Sequence, residues 1–261
     1  MKYENFKRSY LNFLAPRHLN LKPIHSSKST HSSKGRRRMR VIGSLQGYAA
    51  FREAIEEYLP ERGIAQQDLI SLVSGRYNFQ SFPQIPPGVQ PPQVLVFTSG
   101  KFPDADPPFA ITQIAMTQFG DVVVAVTTEQ AELVLNDLVR SLDTNLGFRL
   151  GTAEKKKSLL SNLVAEFDDG LERHMNKIGK MISAINDIRI GLPPFNIKRL
   201  AFGIGDVSQT NDPILLVEGA DFLIERRQGS QYDRNRYFCS APMSTTDHVR
   251  VLEQIEAIAR G

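Results

Sequence analysis

The sequence predicts an α+β protein in which antiparallel or mixed strand-rich blocks are organised around a long central amphipathic helix. Three observations carry that prediction. A heptad-like apolar stripe runs from Leu160 to Ile188, short strand candidates cluster on either side of it, and each cluster ends in a capped amphipathic helix.

Residues 1–38 hold ten Lys or Arg against the single acid Glu4, a net charge of +9, whereas the remaining 223 residues carry 22 basic and 27 acidic side chains, a net −5. The basic balance of the whole chain therefore belongs to the leader and is not a property of the body. The serine- and histidine-rich run His25–Ser33 reads as disordered. The leader is read first as an upstream extension, with translation starting at Met39. A transit peptide and a functional basic tail are the alternatives. Nothing in the sequence is long and apolar enough for a secretory peptide or a membrane span, and the expected location is cytoplasmic, or organellar if residues 1–38 are a transit peptide.

Residues 39–79 read as a small helical region. Phe51, Ile55, Tyr58 and Leu59 share one helical face, and a second short helix is expected over Gln66–Val73. Gly43-Ser44-Leu45-Gln46-Gly47 reads as an early turn, because it lacks the spacing of a hydrolase elbow. Pro83, Pro86, Pro87, Pro91 and Pro92 make residues 80–93 a stiff linker. Residues 94–150 form a first α+β unit, with strands at Val94–Phe97, Phe109–Thr117 and Val122–Val126 and a helix opening at Thr127-Thr128-Glu129-Gln130-Ala131.

In the segment 151–197, Leu160, Val164, Phe167, Leu171, His174, Ile178, Met181 and Ile185 are spaced alternately four and three apart. That spacing builds one ridge along a helix, and the ridge calls for a partner: a second copy, an apolar surface of the same chain, or a foreign protein. Residues 198–261 form a second α+β unit with strand candidates at Leu200–Ile204, Ile214–Val217, Phe222–Glu225 and Tyr237–Cys239. Its closing helix opens at Thr245-Thr246-Asp247-His248-Val249, which resembles the Thr127 string. The resemblance suggests duplication, and one sheet built from both blocks is the competing arrangement.

The motifs that carry chemistry are sparse. There is no phosphate loop, and Gly203-Ile204-Gly205-Asp206 lacks the third glycine of a dinucleotide fingerprint. Cys239 is the only cysteine, which excludes an intramolecular disulfide and a four-cysteine metal site. Three of the five histidines lie in the leader, so no metal set and no cofactor is expected. Asp104, Asp106, Asp121, Glu218, Asp221 and Glu225 offer carboxylates without the ordered spacing of a calcium loop. Lys101 together with Arg226, Arg227, Arg234, Arg236 and Tyr237 is the candidate binding set for an acidic or phosphate-bearing partner.

No catalytic residue is identifiable, and whether the chain is an enzyme stays open. The leading expectation is a structural or protein-interaction protein that presents two α+β units through a helical connector and acts on a protein partner or on itself. A hydrolase using carboxylates of the strand blocks is the first alternative. Nucleic-acid binding through the leader and the Arg226–Arg236 turn is the second, and is not favoured.

Overall fold

The computed structural model describes residues 39–52, 63–86, 88–89, 92–117, 120–152, 156–168, 170, 184, 199–202, 222–227 and 234–260. Their strands are β1 (Arg40–Arg52), β2 (Val94–Phe102), β3 (Phe109–Thr117), β4 (Gly120–Ala125), β5 (Lys156–Glu166), β6 (Arg199–Phe202), β7 (Phe222–Arg226) and β8 (Arg236–Ala241). Their helices are α1 (Gln66–Arg76), α2 (Thr128–Leu146) and α3 (Thr245–Arg260). All eight strands join one sheet in the order β2-β3-β4-β1-β5-β8-β7-β6. Every pairing is antiparallel, which decides between the antiparallel and mixed sheets that the sequence left open.

The strand order reads the same way outward from its centre. β1 is followed outward by β4, β3 and β2, and β5 by β8, β7 and β6, so the two halves are related by an approximate two-fold axis between β1 and β5. One row of residues marks it: Ala125 pairs with Gly47, Gly47 with Ser161, and Ser161 with Ala241. All four are small. At Gly47 this is required, because a Cβ there would run into the backbone of Thr127 and Thr128 where α2 begins.

Two segments depart from the sequence reading. Arg40–Arg52, expected to be a turn followed by a helix, is a single strand of 13 residues, bent by register shifts at Val41/Gly43 and Ser44/Gln46. Its end is buried on both faces: Ala49 and Phe51 meet the helix-side core, and Tyr48 and Ala50 pack with Val122, Val124 and Leu160 on the other face. A strand buried on both faces loses the alternation that would announce it.

The same physics corrects the beginning of the central helix. Leu160 and Val164 lie in β5, and Phe167 follows its last residue. Ser161, Leu163 and Ala165 face the helices while Leu160 turns to the opposite side. The nearly continuous apolar run that results satisfies a four-three spacing by coincidence. Leu171, His174, Ile178, Met181 and Ile185 lie outside the described residues, as does the strand expected at Ile214–Val217.

Other elements form where the sequence places them. β3, β4, β7 and β8 end within two residues of their candidates and α1 begins at Gln66, whereas β2 begins at Val94 as expected but runs past Phe97 to Phe102. α2 is capped by Thr127, which is extended and accepts from the Gln130 amide at 3.3 Å. It ends on Gly147 at φ 72°, a left-handed turn that lets the Gly147 amide return to the Asp143 carbonyl at 3.2 Å. In α3, Ser244 Oγ accepts from the Asp247 amide at 3.0 Å and donates to the Asp247 carboxylate at 2.8 Å, capping the first turn.

The helices cover one face of the sheet and divide its core in two. Ile70 and Val73 of α1 and Val134, Leu135 and Leu138 of α2 pack on Phe97, Ile114 and Val123. Leu252 of α3 packs on Leu163, Phe222, Ile224 and Cys239.

A side chain at Gly47 would run into the backbone of Thr127 and Thr128, whereas one at Gly43 would meet nothing within 4 Å. Gly47→Ala should therefore cost roughly 1–3 kcal/mol of stability through forced displacement of α2, and Gly43→Ala should change it by less than about 1 kcal/mol. Urea unfolding of the two variants checks this; equal stabilities would contradict the close approach.

Candidate functional site: the junction of two helix starts

α2 and α3 approach each other by their amino-terminal ends, where each helix has unpaired amides and a positive dipole. Such an approach is unfavourable unless those groups find acceptors. Here each helix supplies them to the other. The Thr128 amide donates to Thr245 Oγ1 at 3.0 Å, and the Thr245 amide donates to Thr128 Oγ1 at 2.6 Å. The two hydroxyl oxygens are 3.1 Å apart.

Glu129 supplies the negative charge. Its Oε1 accepts from the Thr246 amide at 3.0 Å and from Thr246 Oγ1 at 2.8 Å. Burial opposes ionisation of Glu129, but the bonds from Thr246 outweigh it and hold the carboxyl below its ordinary range. The junction is thus a symmetric cap carrying one asymmetric charge.

The two threonine strings noticed in the sequence are the two halves of this junction, but they align one residue differently. Thr128, rather than Thr127, meets Thr245, because Thr127 and Ser244 are the residues that cap their own helices. The contribution of Gly47 and Ser161 could not be read from their own neighbourhoods, since it depends on which strands become adjacent.

Beside the junction, His248 Nδ1 lies 3.1 Å from Ser161 Oγ, and both residues are completely buried. A serine within reach of a histidine invites a nucleophile–base reading. The surroundings do not supply what that chemistry needs. Phe222 stands edge-on to the imidazole at 5.7 Å, and among the described residues buried His248 Nε2 has no hydrogen-bond partner, where a catalytic pair would have an orienting acceptor. Burial lowers the His248 pKa to about 4, against a smaller opposing contribution from Ser161, so the ring is neutral at physiological pH. Cys239, also buried, has its thiol pushed up to about 12. Each is a core residue whose polar atom is accommodated rather than presented.

The binding set expected from the sequence is divided by the fold. Lys101 sits on β2, with four strands between it and Arg236 of β8 and five between it and Arg226 of β7. Its amide donates to the Tyr77 carbonyl at 2.7 Å, and its side chain is exposed. Arg226 lies over the Tyr237 ring at 4.9 Å with Nη2 3.0 Å from the phenol oxygen. Arg236 and Arg40 share Glu166, one on each carboxylate oxygen, at 2.8 and 2.6 Å. Burial works against the Glu166 charge and the two arginines overcome it, keeping the carboxyl below its usual range. Arg227 and Arg234 are exposed.

Of the expected carboxylates, Glu218 and Asp221 lie outside the described residues, and Asp104, Asp121 and Glu225 belong to different elements. Asp104 joins Arg76, which also makes a two-pronged contact with Asp137 at 2.6 and 2.5 Å. The Tyr77 hydroxyl donates to the same Asp137 at 2.8 Å, and burial first, then Asp137, raises the Tyr77 pKa. This network pins α1 to α2 and to the β2–β3 loop. Asp121 is fully buried on β4. Among the described residues no three His, Cys, Asp or Glu side chains converge as metal ligands, and no helix is long and apolar enough to cross a membrane.

No protein-family model matches this chain, and no curated protein is similar to it.

The His248 environment has a measurable consequence. Because its folded pKa lies below the unfolded value, the stability it contributes is full above about pH 6.5 and is lost as pH falls towards 4. The loss between neutral pH and about pH 4.5 should be on the order of 2–3 kcal/mol. Chemical denaturation of wild type and His248→Gln at both pH values should show a markedly shallower fall in the variant; parallel falls would contradict the assignment.

Proposed function

We propose that this chain is a protein-interaction protein: a platform of two α+β units, fused through one sheet, that binds a protein partner or a second copy of itself. The observation that carries the reading is the use to which its reactive side chains are put. Ser161, His248 and Cys239 are sealed in the core, Glu166 is held between two arginines, and Asp137 is tied to Arg76 and Tyr77. Groups spent in this way fix geometry, and a fixed geometry is what a recognition surface needs.

Support also comes from what the described surface presents. Leu133 of α2 and Ile258 of α3 are 54 % and 79 % exposed, and the side chains of Lys101 and Arg234 are exposed as well. Single exposed apolar residues are common on soluble proteins, so no one of them defines the contact. The hydrolase reading draws no comparable support, because Asp104 and Asp121, two of its carboxylates, are respectively paired and buried. A nucleic-acid reading is weakened by Glu166, which neutralises part of the arginine row.

Native mass spectrometry of the full-length protein, purified without refolding from cells expressing it at its natural level, tests the reading. The expected spectrum shows a homo-oligomer or a stoichiometric protein complex. A monomer carrying a stoichiometric small molecule or metal would overturn it, and so would a bare monomer at micromolar concentration.

A further inference from the structure

Met39 is the first described residue, and it is not loosely held. Its side chain is 7 % exposed and packs in the same core as Leu163, Phe167 and Leu252. Its backbone nitrogen donates to Glu256 Oε2 at 2.6 Å. The other oxygen of that carboxylate, Oε1, accepts from the Asp168 amide at 3.0 Å.

Glu256 is unusual in its own right. It is 6 % exposed and lies in the last turns of α3, where the helix dipole disfavours a negative charge. A carboxylate buried there is costly unless it meets strong donors, and a cationic donor serves it better than a neutral amide. The 2.6 Å separation to Met39 places the nitrogen in direct contact with the carboxylate, closer than the usual 2.9–3.0 Å of a neutral N–H···O bond. In sequence, position 39 is also where the charge balance reverses, from a net +9 over residues 1–38 to a net −5 over the rest.

From this geometry we propose that the working chain begins at Met39 and that Glu256 is the receptor for its α-ammonium group. The nitrogen that donates one proton as an amide would then carry three and a positive charge, forming a buried ion pair that fastens the start of β1 to the end of α3. The pair would close the α3 half of the core at the point where Phe167 and Asp168 leave β5. Initiation at the Met39 codon is sufficient to produce such a chain, and the bulky Arg40 behind it protects the methionine from aminopeptidases that require a small second residue.

The test starts from the complete gene with its own upstream region and a tag at the carboxyl end. Intact mass and amino-terminal sequencing of the purified product should give a chain that starts at Met39; a chain starting at Met1 overturns the proposal. The same preparation is then treated with an amine-acylating reagent near neutral pH. An α-amine held as an ammonium by Glu256 should react about tenfold more slowly than in Glu256→Gln, one unit of pKa being a tenfold change in free amine. Equal rates overturn the pairing. Should Glu256→Gln fail to fold, NMR titration of the isotopically methylated terminus of the wild-type chain decides: a pKa above the ordinary α-amino range of about 7.7–8.0 is expected, and one within it overturns the pairing.

Discussion

Two helices that begin over the same row of small residues set the constraint on which the rest of this fold depends. Ala125, Gly47, Ser161 and Ala241 form that row across four adjacent strands. Above it, Thr128 and Thr245 exchange hydrogen bonds and Glu129 neutralises the facing dipoles. A side chain at Gly47 would push the start of α2 away from the sheet, and without the threonines the helix ends would retain unpaired buried amides. The pairing of β1 with β5 and the meeting of α2 with α3 therefore support one another: strands bring the helix starts together, and the cap fixes the strands' relation.

Around that centre the two halves are stabilised in different ways. The first half carries a larger apolar core, with ring contacts linking Phe97, Phe79, Tyr77 and Phe102 in turn and a partly buried Arg76–Asp137–Tyr77 network at its rim. The second half is smaller and relies more on polar closure, with Glu166 joining β1, β5 and β8 through Arg40 and Arg236, and Glu256 drawing together Met39 and Asp168. A similar plan has thus been completed with different side-chain chemistry, which fits the weak likeness between the two halves in sequence.

What was legible in the sequence follows the same physics. Strands with solvent or a turn beside them, such as β3 and the middle of β8, were visible through composition and punctuation, and so were both capped helix starts. β1 and β5 were not, because central strands are buried on both faces and lose their period of two. In Leu160–Phe167 the apolar run then admitted a helical period that the backbone does not follow. The threonine strings were recognised as local caps, but their use for one another is a long-range fact. No local pattern near Gly47 announces a helix start 80 residues away, and the one-residue offset between the strings emerges only when Thr127 and Ser244 are seen capping their own helices.

The measurement that tests this account most directly is cross-linking at the junction. In Thr128→Cys/Thr245→Cys the new thiols should form an intramolecular disulfide under mild oxidation, with Cys239 left buried and reduced. The account predicts a monomeric product lighter by about 2 Da that resists alkylation at both positions, since the hydroxyl oxygens the thiols replace lie 3.1 Å apart. Two freely alkylated cysteines, or disulfides formed only between molecules, would contradict the meeting of the two helix starts and with it the single sheet on which the fold has been built.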